Sequence, residues 1–528
     1  MKNKRLLFTF LVVLSLFIAA CSDSGQGTTE PSTGGDKGKD EGTVKVEAEE
    51  NLTLTIAMGT DMLTFDPHNH QTTATEAIHI NMYNYLVKNE NGTIVPDLAK
   101  EWKLVDDHTW EFKLRDDVKF HNGDPFTAAD VKYSLERVAT DSSLREHPNY
   151  KQIESVEIID DYTVHIKTFE VDPVLLNRVA RLGSGMLPSK YIEENGFDYF
   201  LENPIGTGPF KFVEWKKDDR VVLERNDDYF NGVNTEWEQV VFRAIPENST
   251  RVAELLTGGV DIATEVPPTD WERIKNNDGT DVVTGPVNRT MMLFLRVTEG
   301  YPTSDVKVRQ AIDYAIDDQA LVDHILGGGG KPTLTRMNPG NFGINEDLFG
   351  KYNYDLEKAK SLLKEAGYEK GVEITLHSPN GRYFQDKATV EMIAGMLAQA
   401  GITAKLEFME WGAFVDLRKA EEHKDAYFIA LGASLFDAAQ ALDYYHSERA
   451  DSINDYKNDE VDKLLDAANV NLNAEEREQQ YKRVQEIVAE EVPIVPLFQV
   501  YSFYGVNDRL EFEPRVDEMF IIENIKLK

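Results

Sequence analysis

Apolar positions alternate or recur at helical spacing over most of the chain. Residues 52–58, L-T-L-T-I-A-M, alternate as a half-buried strand does. Residues 77–87 read as helical. Trp110, Phe112 and Leu114 share one strand face, and Glu111, Lys113 and Arg115 the other. After the Asn122-Gly123-Asp124-Pro125 turn, Thr127 is placed to cap a helix opening at Ala128. Residues 158–167 and 240–245 read as strands. Residues 210–215 and 220–224, joined by the polar residues 216–219, read as a hairpin. Before it stands Gly206-Thr207-Gly208-Pro209, a turn whose glycines permit positive φ and whose proline fixes φ. Residues 306–326 carry Ala311, Ile312, Ala315 and Ile316 at helical spacing and predict an amphipathic helical region. Gly327–Gly330 ends it. It is no phosphate cradle, since no strand precedes it and no Lys-Ser/Thr follows.

The later chain shows its architecture more directly. Asp355 is placed to cap a helix bearing Leu356, Ala359, Leu362, Leu363 and Ala366, which Gly367 stops. A strand at 372–377, a helix at 385–400 stopped by Gly401, and a strand at 403–409 predict a right-handed βαβ unit in a parallel sheet. Asn473 with Glu476 opens a helix running to Glu491, and 492–504 is apolar enough for a buried strand. No tandem repeat of 20–50 residues is visible. The expected fold class is α/β, with mixed sheets and two lobes.

The first fifty residues differ. Lys2, Lys4 and Arg5 precede an apolar run at 6–20, too short for a comfortable membrane span and right for a signal-peptide core. Ile18-Ala19-Ala20 then leads into Cys21, the single cysteine. Residues 22–50 hold no aromatic residue, Leu or Ile, so they cannot bury enough surface to offset chain entropy. As a coil they would span roughly 30 Å. With 56 Lys+Arg against 92 Asp+Glu, the net charge of -36 argues against nucleic acid as a partner. Loss of residues 1–20 would remove three positive charges and no negative ones. Composition is otherwise globular, and 528 residues allow two or three domains.

The segment G-T-G-P-F, followed by E-W and L-E-R-N-D-D-Y-F, resembles the central signature of the family 5 extracellular solute-binding proteins, the peptide-, opine- and nickel-binding receptors of ABC importers. The T-F-D-P loop, the D-D-H-T-W-E-F-K-L-R block and the V-R-Q-A helix are similar to further family motifs. The resemblance covers nearly all of residues 52–528. It implies a periplasmic-binding-protein-like fold of the cluster C, class II type. The first lobe is expected at 52–288 with a subdomain inserted at about 85–205, the second lobe at 289–499, and a return to the first lobe at 500–528. Ile-Ala-Ala-Cys resembles a lipobox. It implies a signal peptide at 1–20, a lipid on Cys21, a tether over 21–50, and anchoring at the outer face of the cell membrane. Implied partners are a small peptide and an ABC permease with its ATPase. No cofactor is expected.

A cleft between two α/β lobes is a favoured ligand site. Arg382, in a loop after a strand and before a helix, is placed where a cation could take a ligand carboxylate. Peptide-binding relatives use an arginine in this region. They take the ligand amine on the aspartate of a G-W-x-x-D segment. The matching stretch here has Leu431 at the tryptophan position and Ser434 at the aspartate position, with Asp437 three residues on as the substitute. Asp437-Ala438 and Ala441-Leu442 also resemble the glutathione-binding branch. Trp411, Phe436, Phe65 and Tyr504 are candidate apolar walls. His68 and His70 stand in one loop without cysteine or a carboxylate triad, so no metal site is assigned. The expectation is a receptor that performs no chemistry. The alternatives are a nickel or opine receptor of the same family, a surface peptide hydrolase, or a sensory or adhesive lipoprotein. No H-E-x-x-H or G-x-S-x-G motif is present, though a dispersed Ser/His/Asp set leaves the hydrolase open.

Overall fold

The computed structural model describes residues 52–528 apart from Asn91 and Ser452. Cys21, and with it the signal-peptide, lipid and tether readings, lies outside the described residues.

One sheet of eleven strands runs through the molecule. Its order is Ile402–Met409, Val372–Pro379, Ala426–Gly432, Thr280–Leu295, Ile494–Asn507, Ile262–Thr264, Thr53–Met58, Gln239–Ala244, Arg220–Arg225 and Phe210–Lys216. The short strand Gly330–Pro332 pairs with Ile494–Asn507. The two central strands are long and antiparallel, and each serves both lobes. Residues 280–286 pair with 501–507, where Ile262–Thr264 joins the sheet. Residues 290–294 pair with 494–499, where Ala426–Gly432 joins. The register shifts between Pro286 and Thr290, so residues 287–289 leave the ladder with Ile494–Asn507, while Arg289 still pairs with Gly432. Such irregularities re-aim side chains.

The lobes have separate interiors. One packs Leu54, Ile56, Trp237 and Phe242 around the Thr53–Met58 side of the sheet. The other packs Ile312, Leu376, Ile393 and Phe428 around the Val372–Pro379 side. A four-stranded sheet, Ala99–Asp106, Thr109–Leu114, Thr163–Thr168 and Ile153–Asp160, packs with helix Ala128–Thr140 around Phe112, Val131 and Val164 to make the inserted subdomain. The molecule is a two-lobed α/β fold.

Locally coded elements stand where the pattern places them. Val372–Pro379 runs parallel to Ile402–Met409, joined by helix Asp386–Ala400. That helix buries Val390, Ile393, Met396, Leu397 and Ala400, and Gly401 ends it at φ 96°. Asp355 accepts from the Lys358 amide at 2.9 Å, and Asn473 from those of Glu475 and Glu476 at 3.1 and 3.3 Å.

Four expectations are corrected. Residues 77–87 are not one helix: Thr73–His79 is helical, and strand Val87–Glu90 follows an irregular link. Asn81 donates to Ala77 O and Phe520 O and accepts from the Ile522 amide. Asn84 donates to both Asp97 oxygens. These distant partners hold the link out of helical geometry. Residues 158–167 are not one strand: they span the end of Ile153–Asp160, a turn at 161–162 and most of the antiparallel strand Thr163–Thr168. The 306–326 region breaks into Val306–Ala315 and Asp318–His324, because Asp317 caps the second helix on the Ala320 amide. Finally, neither Gly206 nor Gly208 has positive φ. They are needed for close approach: a Cβ would stand 2.0 Å from Met82 O at Gly206 and 2.6 Å from Asn81 O at Gly208.

Candidate functional site

The irregular link, the register shift and the chain's C-terminal return meet at one cavity of about 790 Å³. That lies within the range of roughly 300–1,000 Å³ usual for small-molecule sites. The body of the first lobe contributes Glu76 and Asn81, and its inserted subdomain contributes Tyr85, Lys88, Glu146, Asn177 and Arg181. The register shift turns Asn288 and Arg289 toward it, and the end of strand Ala426–Gly432 brings residues 431–436. The return supplies Arg515, Asp517 and Glu518.

Asn288 fixes this corner. Its side-chain amide donates to Ala433 O at 2.7 Å and to Asn341 Oδ1 at 3.2 Å, and its backbone amide donates to Val516 O at 2.7 Å. Other contacts also join the lobes. Asn177 Nδ2 donates to Leu435 O at 2.9 Å, and a Cβ on Gly92 would stand 2.7 Å from Gly340 O.

Most wall charges are paired. Arg289 meets Glu518 at 2.9 Å, Arg515 meets Asp517 at 2.6 Å, Arg181 meets Glu146, and Lys88 reaches Asp97 at 3.2 Å. Glu518 holds φ 64°, a left-handed conformation uncommon for a side-chain-bearing residue. Glu76 has no ion pair, and its carboxylate accepts no hydrogen bond among the described residues. Burial, reinforced by Glu146, Asp517 and Glu518 and opposed by Arg181, pushes its carboxyl up to about 7. Tyr85, 2 % exposed, carries a hydroxyl with no partner among the described residues, and Arg181 Nε likewise has none among them. The cavity therefore offers guanidinium donors, carboxylate acceptors and main-chain groups to a polar, charged ligand.

Of the residues singled out from sequence, Ser434 and Phe436 line the cavity. Ser434 is exposed and bonded to Gln440, while Phe436 is held at φ 53°. Asp437 does not line it. It is 2 % exposed and pairs with Arg477 at 2.5 and 2.9 Å, capping Ala438–Leu442 through the Ala439 amide. The substitute role read for Asp437 is thus taken up by a buried ion pair. Arg382 and Trp411 come together, the guanidinium 4.8 Å from the indole centroid, but both stand off the cavity wall. Phe65 packs against Phe212 at 4.9 Å, and Tyr504 against Phe512 at 5.3 Å, both in the first lobe's interior. His68 is also spent internally, between Gly185 O and Arg137. Among the described residues no group of three or more His, Cys, Asp and Glu is arranged to hold a metal ion.

Sequence reasoning missed Glu76, Tyr85, Arg181, Arg289 and Glu518. Glu76 precedes and Tyr85 lies within a stretch read as helix, and the others come from segments far apart in the chain. No local pattern marks them. The Asn81 and Asn84 pair inside an apolar run was the one signal available, since such residues compete with helical geometry.

Two lobes around a charged interlobe cavity define a solute-binding protein. The model of the bacterial extracellular solute-binding proteins, family 5, matches residues 93–452, and the chain belongs to that family. It is similar to the glutathione-binding protein GsiB of Salmonella paratyphi A, 28% identical over 84% of this chain and 88% of the relative. It is 30% identical to di/tripeptide-binding protein 1 of Pseudomonas aeruginosa, over 82% and 86%. Among solved structures, the periplasmic binding protein DppA from Helicobacter pylori in complex with the peptide STSA matches with a TM-score of 0.73 and 28% identity, over 90% of this chain and 98% of that one. Among the described residues no helix is long and apolar enough to cross a membrane.

Proposed function

We propose that this protein captures short peptides, glutathione-like ones included, between its lobes and delivers them to an ABC permease and its ATPase, performing no chemistry itself. One observation carries the reading: a cavity walled by both lobes presents arginines, carboxylates and main-chain groups together, which suits a ligand with charged ends and amides between them. Relatives named for glutathione and di/tripeptide binding support the ligand class. On this reading Ser434 and Phe436 touch the ligand. Residues 52–288 and 500–528 form the first lobe and 289–499 the second, hinged at the register shift in the long strands. A lipid on Cys21 fastens the body to the outer face of the membrane.

Thermal unfolding of the purified protein with di- to pentapeptides, glutathione, opines and nickel tests the ligand class. A ligand at about a hundred times its Kd stabilises the native state by about 2.7 kcal/mol, so its midpoint climbs with concentration. Stabilisation by peptides is expected, with no cleavage products by mass spectrometry. Products would support the hydrolase instead, and stabilisation by nickel or opines alone would displace peptides as the ligand.

A further inference from the structure

Resting on the reading of the cavity as a peptide site, we infer that Glu76 is the residue that takes the ligand's free ammonium group. Asp437 cannot serve, because both its oxygens hold Arg477 within the protein. On the cavity wall, Glu146, Asp517 and Glu518 are each held by an arginine. Glu90 is exposed to water, and Glu523 stands in the field of Lys88 and Lys526. Glu76 and Glu523 are the wall carboxylates that are partly buried with no cation in ion-pair contact among the described residues; two lysines act on Glu523, whereas Arg181 is outnumbered at Glu76 by three carboxylates, and it is Glu76 whose charge reaches Tyr85.

The second observation is Tyr85. It lines the same cavity, is 2 % exposed, and leaves its hydroxyl without a partner among the described residues. A buried hydroxyl in that state calls for a bonding group from outside the protein. An ammonium carries three donors and no acceptor, which fits a carboxylate and a phenol oxygen together. An anionic ligand end would meet Glu76, Glu146, Asp517 and Glu518 at this corner, so it belongs elsewhere on the wall.

The charged and titratable groups facing Glu76 are Arg181, Glu146, Asp517, Glu518 and Tyr85. Burial and the like charges favour the neutral carboxyl in the empty site. An ammonium is bound by the ionised form, so free-amine peptides should bind more tightly as the pH rises from about 6 to about 8.

Isothermal titration of the full-length protein with trialanine, N-acetyl-trialanine, glutathione and N-acetyl-glutathione tests the inference. Wild type, Glu76→Gln, Glu76→Asp and Tyr85→Phe are compared at about pH 6 and about pH 8, with circular dichroism confirming the fold of each. For wild type, acetylation is expected to weaken binding about tenfold to a hundredfold, the range for a hydrogen bond to a charged group. Glu76→Gln should lose a similar factor for the free peptide, nothing further on acetylation, and the pH dependence. Glu76→Asp should keep the preference for a free amine. Equal binding of free and acetylated peptides, or full affinity in Glu76→Gln, overturns the inference and leaves the peptide reading standing. If no peptide binds wild type, the peptide reading itself falls and takes the inference with it.

Discussion

Gly206 and Gly208 show why a residue's role can lie in what it lacks. The tight turn they suggest needs no left-handed backbone, and their value is the space a side chain would take from the 81–82 main chain. Gly206→Ala should therefore destabilise the protein by about 1–3 kcal/mol, the usual cost of overpacking, read as a lower urea midpoint. Asp437 makes the converse point. Asp437→Ala strands Arg477, whose side chain is 5 % exposed, and should cost about 3–5 kcal/mol in the same measurement. Glu76 links the site to pH. Its folded-state value of about 7 lies above the ordinary 4.5, so the folded chain holds a proton that the unfolded chain has lost across that window. Stability conferred by the neutral carboxyl is present at the acid end and falls as pH rises through the window. In the ligand-free protein, Glu76→Gln should gain stability relative to wild type between about pH 5 and about pH 8, checked by urea unfolding at both.

Elements follow their local signals when all the groups that define them lie within a few residues. The helix capped by Asn473 and the Asp386–Ala400 helix are of this kind: the cap of the first, and the apolar stripe and Gly401 stop of the second, lie within or next to the element. Asn473→Ala should cost about 1 kcal/mol through loss of its bonds to the Glu475 and Glu476 amides, measurable by denaturation. Elements defied the pattern where a polar side chain had a distant partner. Asn81 reaches Phe520 and Ile522, and Asn84 reaches Asp97 and Tyr229, so a helix that periodicity extends to residue 87 ends at His79. The register shift at 287–289 is likewise invisible in a strand read alone, because register exists only between two strands.

At the scale of the molecule, the cavity exists only because the lobes meet. Asn177 and Gly92 reach across from the inserted subdomain to Leu435 and Gly340. Hinge closure is the motion such folds use. Asn177→Ala removes one closing contact and should weaken ligand affinity about threefold to tenfold, as one net hydrogen bond does. Its solution scattering should show a larger radius of gyration than wild type at equal ligand concentration. Unchanged affinity and radius would mean that this bond does not hold the lobes together.

The sequence by itself determined the α/β class, the βαβ unit at 372–409, the helix caps at Thr127, Asp355 and Asn473, and the family, because each is written in neighbouring residues or in short motifs. Only the tertiary structure decided the site. It buried Asp437 against Arg477, set Arg382 on Trp411 away from the cavity, and gathered Glu76, Tyr85, Arg181, Arg289 and Glu518 from four separate stretches. The physical reason is that a charge's role depends on which opposite charge reaches it and how much water it keeps. Both are fixed by three-dimensional neighbours that spacing along the chain does not record.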